Sequence, residues 1–401
     1  MFIETSIQEQ VERQRDDRLR VLVVGGGVAG LTLAQLLRRG GLHPVLVEHA
    51  PDKAGEGYML ALMPLVDPAM QALGVRDEYR ARSVPFHRYR LHGHRGPLLR
   101  EYEIDTLLHA YGDYRGLARR ELLDVLSTHG APISHRATLK SMQQSAQAVE
   151  TVLENGGGTV EATFDTVVLA DGLHSPERAG LLEPGKVAIY DTGWAGWVAW
   201  IDADAAHADQ GDEIWGADFF VGIYPVKGRA GVFVGGDRAD MLEGPAAFVA
   251  EIRSQLSAID PWLERGLAEV EAGQDLYFWK LTDCRADKWA VGRAALLGDA
   301  AAGFLPTAGI GAGMAMESAT VLAQRLLDAG PENVAEALLA YERSQRPRVE
   351  AAQDNSRQLA KLMFRRSHAL AVIRDLAVRL VPLSTVLRPI RKLLDDMPLS
   401  A

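Results

Sequence analysis

The sequence predicts an α/β fold: a nucleotide-binding domain built on a parallel sheet and assembled from separated segments, an inserted and mostly antiparallel β-sheet domain, and a helical C-terminal region. Three observations predict it. Residues 20–49 read as strand, glycine turn, helix, strand. Two further apolar runs, at 164–172 and 294–300, end in Asp-Gly and Gly-Asp turns. Between these two, residues 190–236 change to aromatic and β-branched residues broken by turn signals.

The first unit begins with RVLVV, a continuous apolar run of the kind a parallel strand needs when both its faces are covered. LTLAQLLRRG has helical spacing and stops at Gly40, and PVLVE is a second buried strand. Between strand and helix stands Gly25-Gly26-Gly27-Val28-Ala29-Gly30, a G-x-G-x-x-G motif. Gly25 permits a tight turn, Gly27 lets a pyrophosphate approach the backbone, and Gly30, beside Ala29, lets helix and strand pack closely. Unpaired N–H groups and the positive end of the helix dipole then receive phosphate. Glu48, ending the second strand, stands where an acid binds ribose hydroxyls. The competing reading is a Gly-rich turn without a ligand, and the complete βαβ context weighs against it.

The later segments follow the same logic. FDTVVLADG and AALLGDA are buried strands that join the parallel sheet, whereas WVAWID, DFFVGIYPV and AGVFVGG read as antiparallel strands and residues 87–104 as a hairpin beside them. This places the nucleotide-binding domain in residues 20–85, 105–182 and 283–332, the sheet domain in 86–104 and 183–282, and the helical region in 333–401. The aromatics Trp194, Trp197, Trp200, Trp215, Phe219, Phe220, Tyr224, Tyr277 and Trp279 concentrate in the inserted sheet. Strand alternation sends some to a core and others to the opposite face, where Trp200, Phe220 and Tyr224 are candidate substrate-lining residues.

Composition excludes several classes. Apolar residues are 47% of the 401 and charged residues 24%, an ordinary globular balance, and the net charge of −10 argues against nucleic-acid binding. One cysteine, Cys284, allows no internal disulfide and no cysteine metal cage, which fits a reducing, cytoplasmic setting. The first twenty residues carry mixed charges and read as a frayed or helical extension rather than a signal peptide, and no run is apolar enough to span a membrane. His87, His92 and His94 cluster around a hairpin without acids nearby in sequence, so they read as surface histidines and no metal site is expected. The tail from Ala371 is amphipathic and basic; packing on the body is expected, and membrane contact is not. No Ser-His-Asp arrangement appears, and no catalytic side chain is named. A monomer or homodimer is expected.

Taken together, the first motif, ADGLHSPER at Ala170–Arg178 and LGDAAAGFLPTAGIGAGMAMESA at Leu297–Ala319 resemble the FAD-dependent monooxygenases of the para-hydroxybenzoate hydroxylase type, from about Arg20 to about Arg348. The resemblance implies a Rossmann-type FAD-binding domain. Asp299 would bind the ribitol hydroxyls, and Pro306 would lie beside the isoalloxazine ring. Backbone amides from Gly309 through Gly311 and Ala312 to Gly313 would face the flavin's pyrimidine edge. Asp171 would lie near the pyrophosphate, with Ser175 capping the next turn and Arg178 either handling nicotinamide nucleotide or pairing with Asp171. Arg119, in LARRELLDVL, would neutralise pyrophosphate charge through a forked contact. The physics agrees: a reduced flavin is electron-rich along that edge, and a helix N-terminus offers unpaired donors and partial positive charge. The competing reading of AGIGAGMA is a close helix-packing surface.

Three positions depart from the family pattern, with Ala302 in place of a His, Gly313 in place of an Asn and Ser318 in place of an Asp. The function implied is oxygenation of an aromatic or electron-rich small molecule by O2 through a flavin C4a-hydroperoxide, with NADPH or NADH as transient reductant. The alternatives are a flavin-dependent halogenase, whose W-x-W-x-I-P signature WVAWI matches only loosely, a non-catalytic FAD-binding relative, and an ordinary NAD dehydrogenase.

Overall fold

The computed structural model describes the chain apart from residues 52–56, 365, 383–384, 386–387, 397 and 399–401. The glycine turn is held by what surrounds it. The Gly25 amide donates to the Val47 carbonyl at 2.8 Å, and Gly25 itself sits at φ +110°, where a side chain would be strained. The flanking strands Val21–Val24 and Val45–Glu48 are buried almost throughout, because the helix Val28–Arg39 covers one face with Leu31, Leu33, Ala34 and Leu37. They centre a seven-stranded sheet in the order Phe2–Glu4, Ala131–His135, Val45–Glu48, Val21–Val24, Thr166–Leu169, Ala294–Leu296, Ala290–Val291. All pairs are parallel except the last.

The N-terminal arm is more than a frayed extension. Phe2–Glu4 adds a parallel edge strand beside Ala131–His135, and the helix Ile7–Arg13 is pinned to the sheet by the buried Gln10 amide, which bonds Leu46 O at 3.2 Å and Ser134 Oγ at 2.9 Å. A three-stranded antiparallel sheet, Ala137–Gln144, Val149–Asn155 and Gly158–Phe164, projects before the return strand Thr166–Leu169. The second of its turns is the Asn155-Gly156-Gly157-Gly158 run, a signal available in the sequence.

The aromatic segments form a second seven-stranded sheet in the order Tyr277–Ala286, Val187–Asp202, Arg229–Asp237, Phe219–Val226, Gln210–Trp215, Arg88–His92, Leu98–Glu103. It is antiparallel apart from one pairing. Arg88–His92 joins Gln210–Trp215 in parallel, so the hairpin enters the sheet through a crossover rather than a simple turn. Alternation divides the aromatics. Trp197 and Phe219 face the helices Pro245–Gln255 and Pro261–Ala272, packing with Phe248, Trp262 and Leu263. Trp194, Trp215, Phe220 and Phe233 face the other way, with Tyr224, Trp200 and Trp279 partly covered beside them and with Met59 and Leu305 brought up from the parallel-sheet side.

At the C-terminal end, the helix Val334–Met363 runs beneath the second half of the molecule. The helix His368–Leu380 docks through the buried Ala371 and Arg374, leaving Leu370, Ile373, Leu376 and Leu380 exposed, so only a narrow face meets the body. No described helix is long and apolar enough to cross a membrane.

Candidate cofactor and substrate site

Three backbone elements converge at the end of the parallel sheet. At the first, Gly27 caps the helix Val28–Arg39 with no side-chain hydrogen bond, so the amides of its first turn are open. A Cβ placed on Gly27 would meet nothing within 4 Å, while one on Gly30 would lie 2.0 Å from the Gly25 carbonyl oxygen. The two glycines therefore serve different ends: Gly30 closes helix onto turn, and Gly27 keeps space clear. Glu48 holds the turn from the neighbouring strand, its Oε2 accepting from the Gly26 amide at 2.6 Å and its Oε1 from the Ala50 amide at 2.8 Å.

The second element is the turn at Gly298-Asp299. A Cβ on Gly298 would stand 2.6 Å from the Cβ of Ala29 and 3.6 Å from that of Ala315, so this turn joins the first motif to the later helix. Asp299 is reached by water although protein surrounds it, which marks a concave site. Crowding by protein pushes its carboxyl up to about 6, against the opposing charge of Arg119. Arg119 opens the helix Arg119–Leu126, and its own amide bonds the Tyr58 carbonyl at 2.9 Å.

The third element is the 3₁₀ turn Pro306–Ala308, followed by Gly309 at φ +62° and the helix Gly311–Leu327. This helix also begins without a side-chain cap and has no acid in its first turn. Its small residues divide into packed and partly open positions. Gly313 and Ala315 are buried, Gly313 against Leu65, so they are packing residues and Gly313 has only its amide to offer. Pro306, Gly309, Gly311 and Ala312 stay partly open. The loop is braced from outside by residues that the sequence did not single out. Thr307 donates to Ser356 O at 2.8 Å, Ser356 donates to Leu305 O at 3.0 Å, and Gln353 donates to the carbonyls of Cys284 and Gly303. Polar residues three apart on an otherwise covered helix face were the available signal.

The ADGLHSPER turn behaves differently from expectation. Ser175 accepts the Arg178 amide at 3.1 Å, as a cap should, but Arg178 does not pair with Asp171. Its guanidinium is buried and donates to Ala300 O at 2.8 Å, Leu173 O at 2.9 Å and Cys284 Sγ at 3.3 Å, stapling this turn to the Asp299 turn. These acceptors win because two carbonyls and a thiol converge where the side chain is already covered. Both Asp171 carboxylate oxygens are buried and unpartnered. Glu177 stands beside them, and burial together with Asp171 pushes its carboxyl up to about 8. A carboxyl raised that far keeps Glu177 protonated at neutral pH.

The histidines also depart from expectation. His92 is buried, with one ring nitrogen 3.2 Å from Asp212 and the other 3.0 Å from the Gly96 carbonyl, and His94 lies 2.7 Å from Asp375. Their acids come from residues more than a hundred positions away, which local sequence inspection cannot reach. No cluster of three metal-ligating side chains occurs among the described residues.

Across from these elements stands the aromatic face of the second sheet, where Trp200, Phe220 and Tyr224 all lie. Tyr58 links the two sides: its ring is 4.4 Å from that of Trp279, and its hydroxyl feels both Arg119 and Asp299.

A family profile described as FAD binding domain matches residues 18–356. The chain belongs to the FAD-dependent monooxygenases of the para-hydroxybenzoate hydroxylase-like family. It is 30% identical over 371 residues to a 3-amino-4-hydroxybenzoate 2-monooxygenase of Streptomyces cremeus, covering 86% of this chain and 88% of the relative. It is 27% identical over 379 residues to a salicylate hydroxylase of Pseudomonas putida, covering 86% of each. Among solved structures, HpxO of Klebsiella pneumoniae, complexed with FAD and uric acid, superposes with a TM-score of 0.84 at 22% identity, covering 95% of this chain and 98% of that one. This monooxygenase is therefore an oxidoreductase with FAD as its cofactor, and the sheet arrangement is that of the family.

Proposed function

We propose that this monooxygenase inserts one oxygen atom from O2 into an electron-rich aromatic small molecule held between the two sheets, with NADH or NADPH as reductant. FAD, when bound, supplies the redox chemistry, accepting reducing equivalents from the nicotinamide and activating O2. The observation that carries the reading is the convergence of two uncapped helix starts, at Gly27 and Gly311, on the carboxylate of Asp299, opposite a face of aromatic side chains.

The residues present fit the group. The open first-turn amides after Gly27 would take the pyrophosphate, with Gly25, Ala29 and Gly30 shaping that turn and Glu48 near the adenosine ribose. Asp299 would accept from the ribitol, and the Arg119 cation would balance nearby phosphate. Pro306 and the amides from Gly309 to Gly313 would line the ring's pyrimidine edge, where donors and half a positive charge favour the reduced, anionic form. The chain's part in the chemistry is to bind, to orient and to exclude water.

Purified protein carrying FAD, mixed anaerobically with NADPH or NADH and a panel of aromatics, should show flavin reduction accelerated by the right compound. On admission of labelled O2 one labelled oxygen should appear in the product. A flavin that no nicotinamide reduces, or a chloride-dependent halogenated product, would overturn the reading.

A further inference from the structure

Glu213 lies on the sheet face that looks toward the flavin loop, and it is an unusual resident there. It is buried in the strand Gln210–Trp215 among aromatic neighbours. Its Oε2 accepts from Trp215 Nε1 at 2.7 Å, its Oε1 accepts from the Tyr224 hydroxyl, and the Tyr89 hydroxyl faces the same carboxylate. The space for Tyr224 is made by Gly222, opposite Glu213 in the sheet, where a Cβ would come within 2.7 Å of the phenol oxygen. The network reaches the flavin loop in three contacts. Phe86 meets Tyr224 edge-on at 6.5 Å and stacks on Tyr114 at 4.8 Å, and the Tyr114 hydroxyl stands 3.5 Å from where a Gly309 side chain would begin.

No cation pairs with Glu213 among the described residues, and the cations around it are committed elsewhere. Arg90 goes to Asp212 and Asp260, and Arg229 covers the Trp200 ring at 3.9 Å. Arg374 lies over the Trp215 ring and donates to the carbonyls of Met363, Trp215 and Gly216. A hydroxyl has one hydrogen. Given to a carboxylate, it leaves only lone pairs for anything else. Burial and the Glu213 charge together keep the Tyr89 and Tyr224 phenols protonated, far above their ordinary range, so those hydrogens stay in place.

We propose that Glu213, through Tyr224 and Tyr89, makes the phenol part of this substrate wall accept hydrogen bonds only, so that the enzyme selects neutral aromatics presenting hydroxyl or amino hydrogens and rejects aromatic carboxylates. The inference rests on the monooxygenase reading above and narrows its substrate class. It sets this chain apart from the relatives named for a hydroxybenzoate and for salicylate. Burial pushes the Glu213 carboxyl up, while the Tyr224, Tyr89 and Trp215 donors favour its charged form; like charge facing like charge in a poorly solvated site is costly, and a committed phenol cannot turn to donate.

The test uses the FAD-loaded full chain. Salicylate and salicylamide differ in charge and scarcely in shape, and binding of each is read from perturbation of the flavin spectrum. Salicylamide should bind at least about tenfold tighter, and Glu213→Gln, which supplies an amide hydrogen and removes the charge, should bring the ratio to within about twofold with FAD content and melting temperature unchanged. Tyr224→Phe, which strips a donor from the carboxylate, should keep or widen the preference, and it serves if Glu213→Gln fails to fold. Equal or tighter binding of salicylate by the wild type, or a ratio that Glu213→Gln leaves intact, would overturn the proposal. If neither compound perturbs the flavin, the same comparison is read from oxygen uptake across matched neutral and carboxylate aromatics: preferred turnover of carboxylates sinks this inference alone, and no aromatic-dependent uptake at all sinks the monooxygenase reading and this with it.

Discussion

The two sides of the site are built from opposite materials. On the parallel-sheet side we assign most ligand contacts to backbone: open amides after Gly27 and around Gly311, with Asp299 at their meeting point. On the antiparallel side it is side chain: Trp200, Phe220, Tyr224, Trp279 and the Glu213 network. Backbone recognition suits a cofactor whose shape never changes, because amides at a helix start are fixed by the fold and cost little to order. Side-chain recognition suits a substrate that differs between relatives, because one residue can change without disturbing the strand that carries it. The two sides should therefore fail differently when altered.

The largest effect is expected at Gly30. Gly30→Ala drives a methyl to 2.0 Å from a carbonyl oxygen that cannot move without opening the turn. We expect a loss of about 1–3 kcal/mol of stability together with loss of bound FAD, read by thermal melting and by the flavin-to-protein absorbance ratio.

Gly27→Ala sharpens the comparison, because its methyl meets nothing in the protein. Stability of the FAD-free form should change by no more than about 1 kcal/mol, while FAD affinity should fall about tenfold to a hundredfold because backbone approach is blocked, as measured by flavin fluorescence quenching. Equal FAD affinity would break the assignment of that space to the pyrophosphate.

Asp299→Asn should weaken FAD binding about tenfold, the scale of a hydrogen bond to a charged group. Its carboxyl is raised from the ordinary range to about 6, so the FAD-free folded protein binds this proton more tightly than the unfolded chain does. Its contribution to stability is thus fully present below about pH 4 and is lost as pH rises through 6. Asp299→Asn should flatten that decline in melting temperature, and FAD affinity of the wild type should improve over the same interval as the acceptor ionises.

On the other side, Trp200→Ala should leave FAD content unchanged and raise KM for substrate about tenfold through lost contact, measured by steady-state oxygen uptake. A fall in FAD content instead would merge the two sides into one.

The smallest effect concerns Glu177. Its folded pKa of about 8 means that stability falls as pH rises from the ordinary carboxylate range through 8, and Glu177→Gln should remove that slope in melting temperature between pH 5 and 9 without altering the value at pH 5.

The sequence made the backbone side legible and the side-chain side only partly so. Gly25, Gly27, Gly30 and Asp299 stand in short runs whose spacing carries the geometry, since strand, turn and helix start are local. Glu213 gave no such signal. It is one acid within QGDEIW, and its meaning depends on Tyr224 in the next strand and Tyr89 more than a hundred residues earlier. The same reason explains His92 with Asp212, His94 with Asp375, and the turning of Arg178 from its near neighbour Asp171 to the distant Ala300.

What the sequence determined by itself was the order of buried strands, the glycine turn that opens the first helix, and the small residues that let a second helix begin close to it. These follow from steric and hydrophobic rules acting over a few residues. Only the tertiary structure decided which polar groups face one another, because a buried charge takes its pKa, its partners and its selectivity from whatever the fold brings beside it, and chain separation holds no record of that.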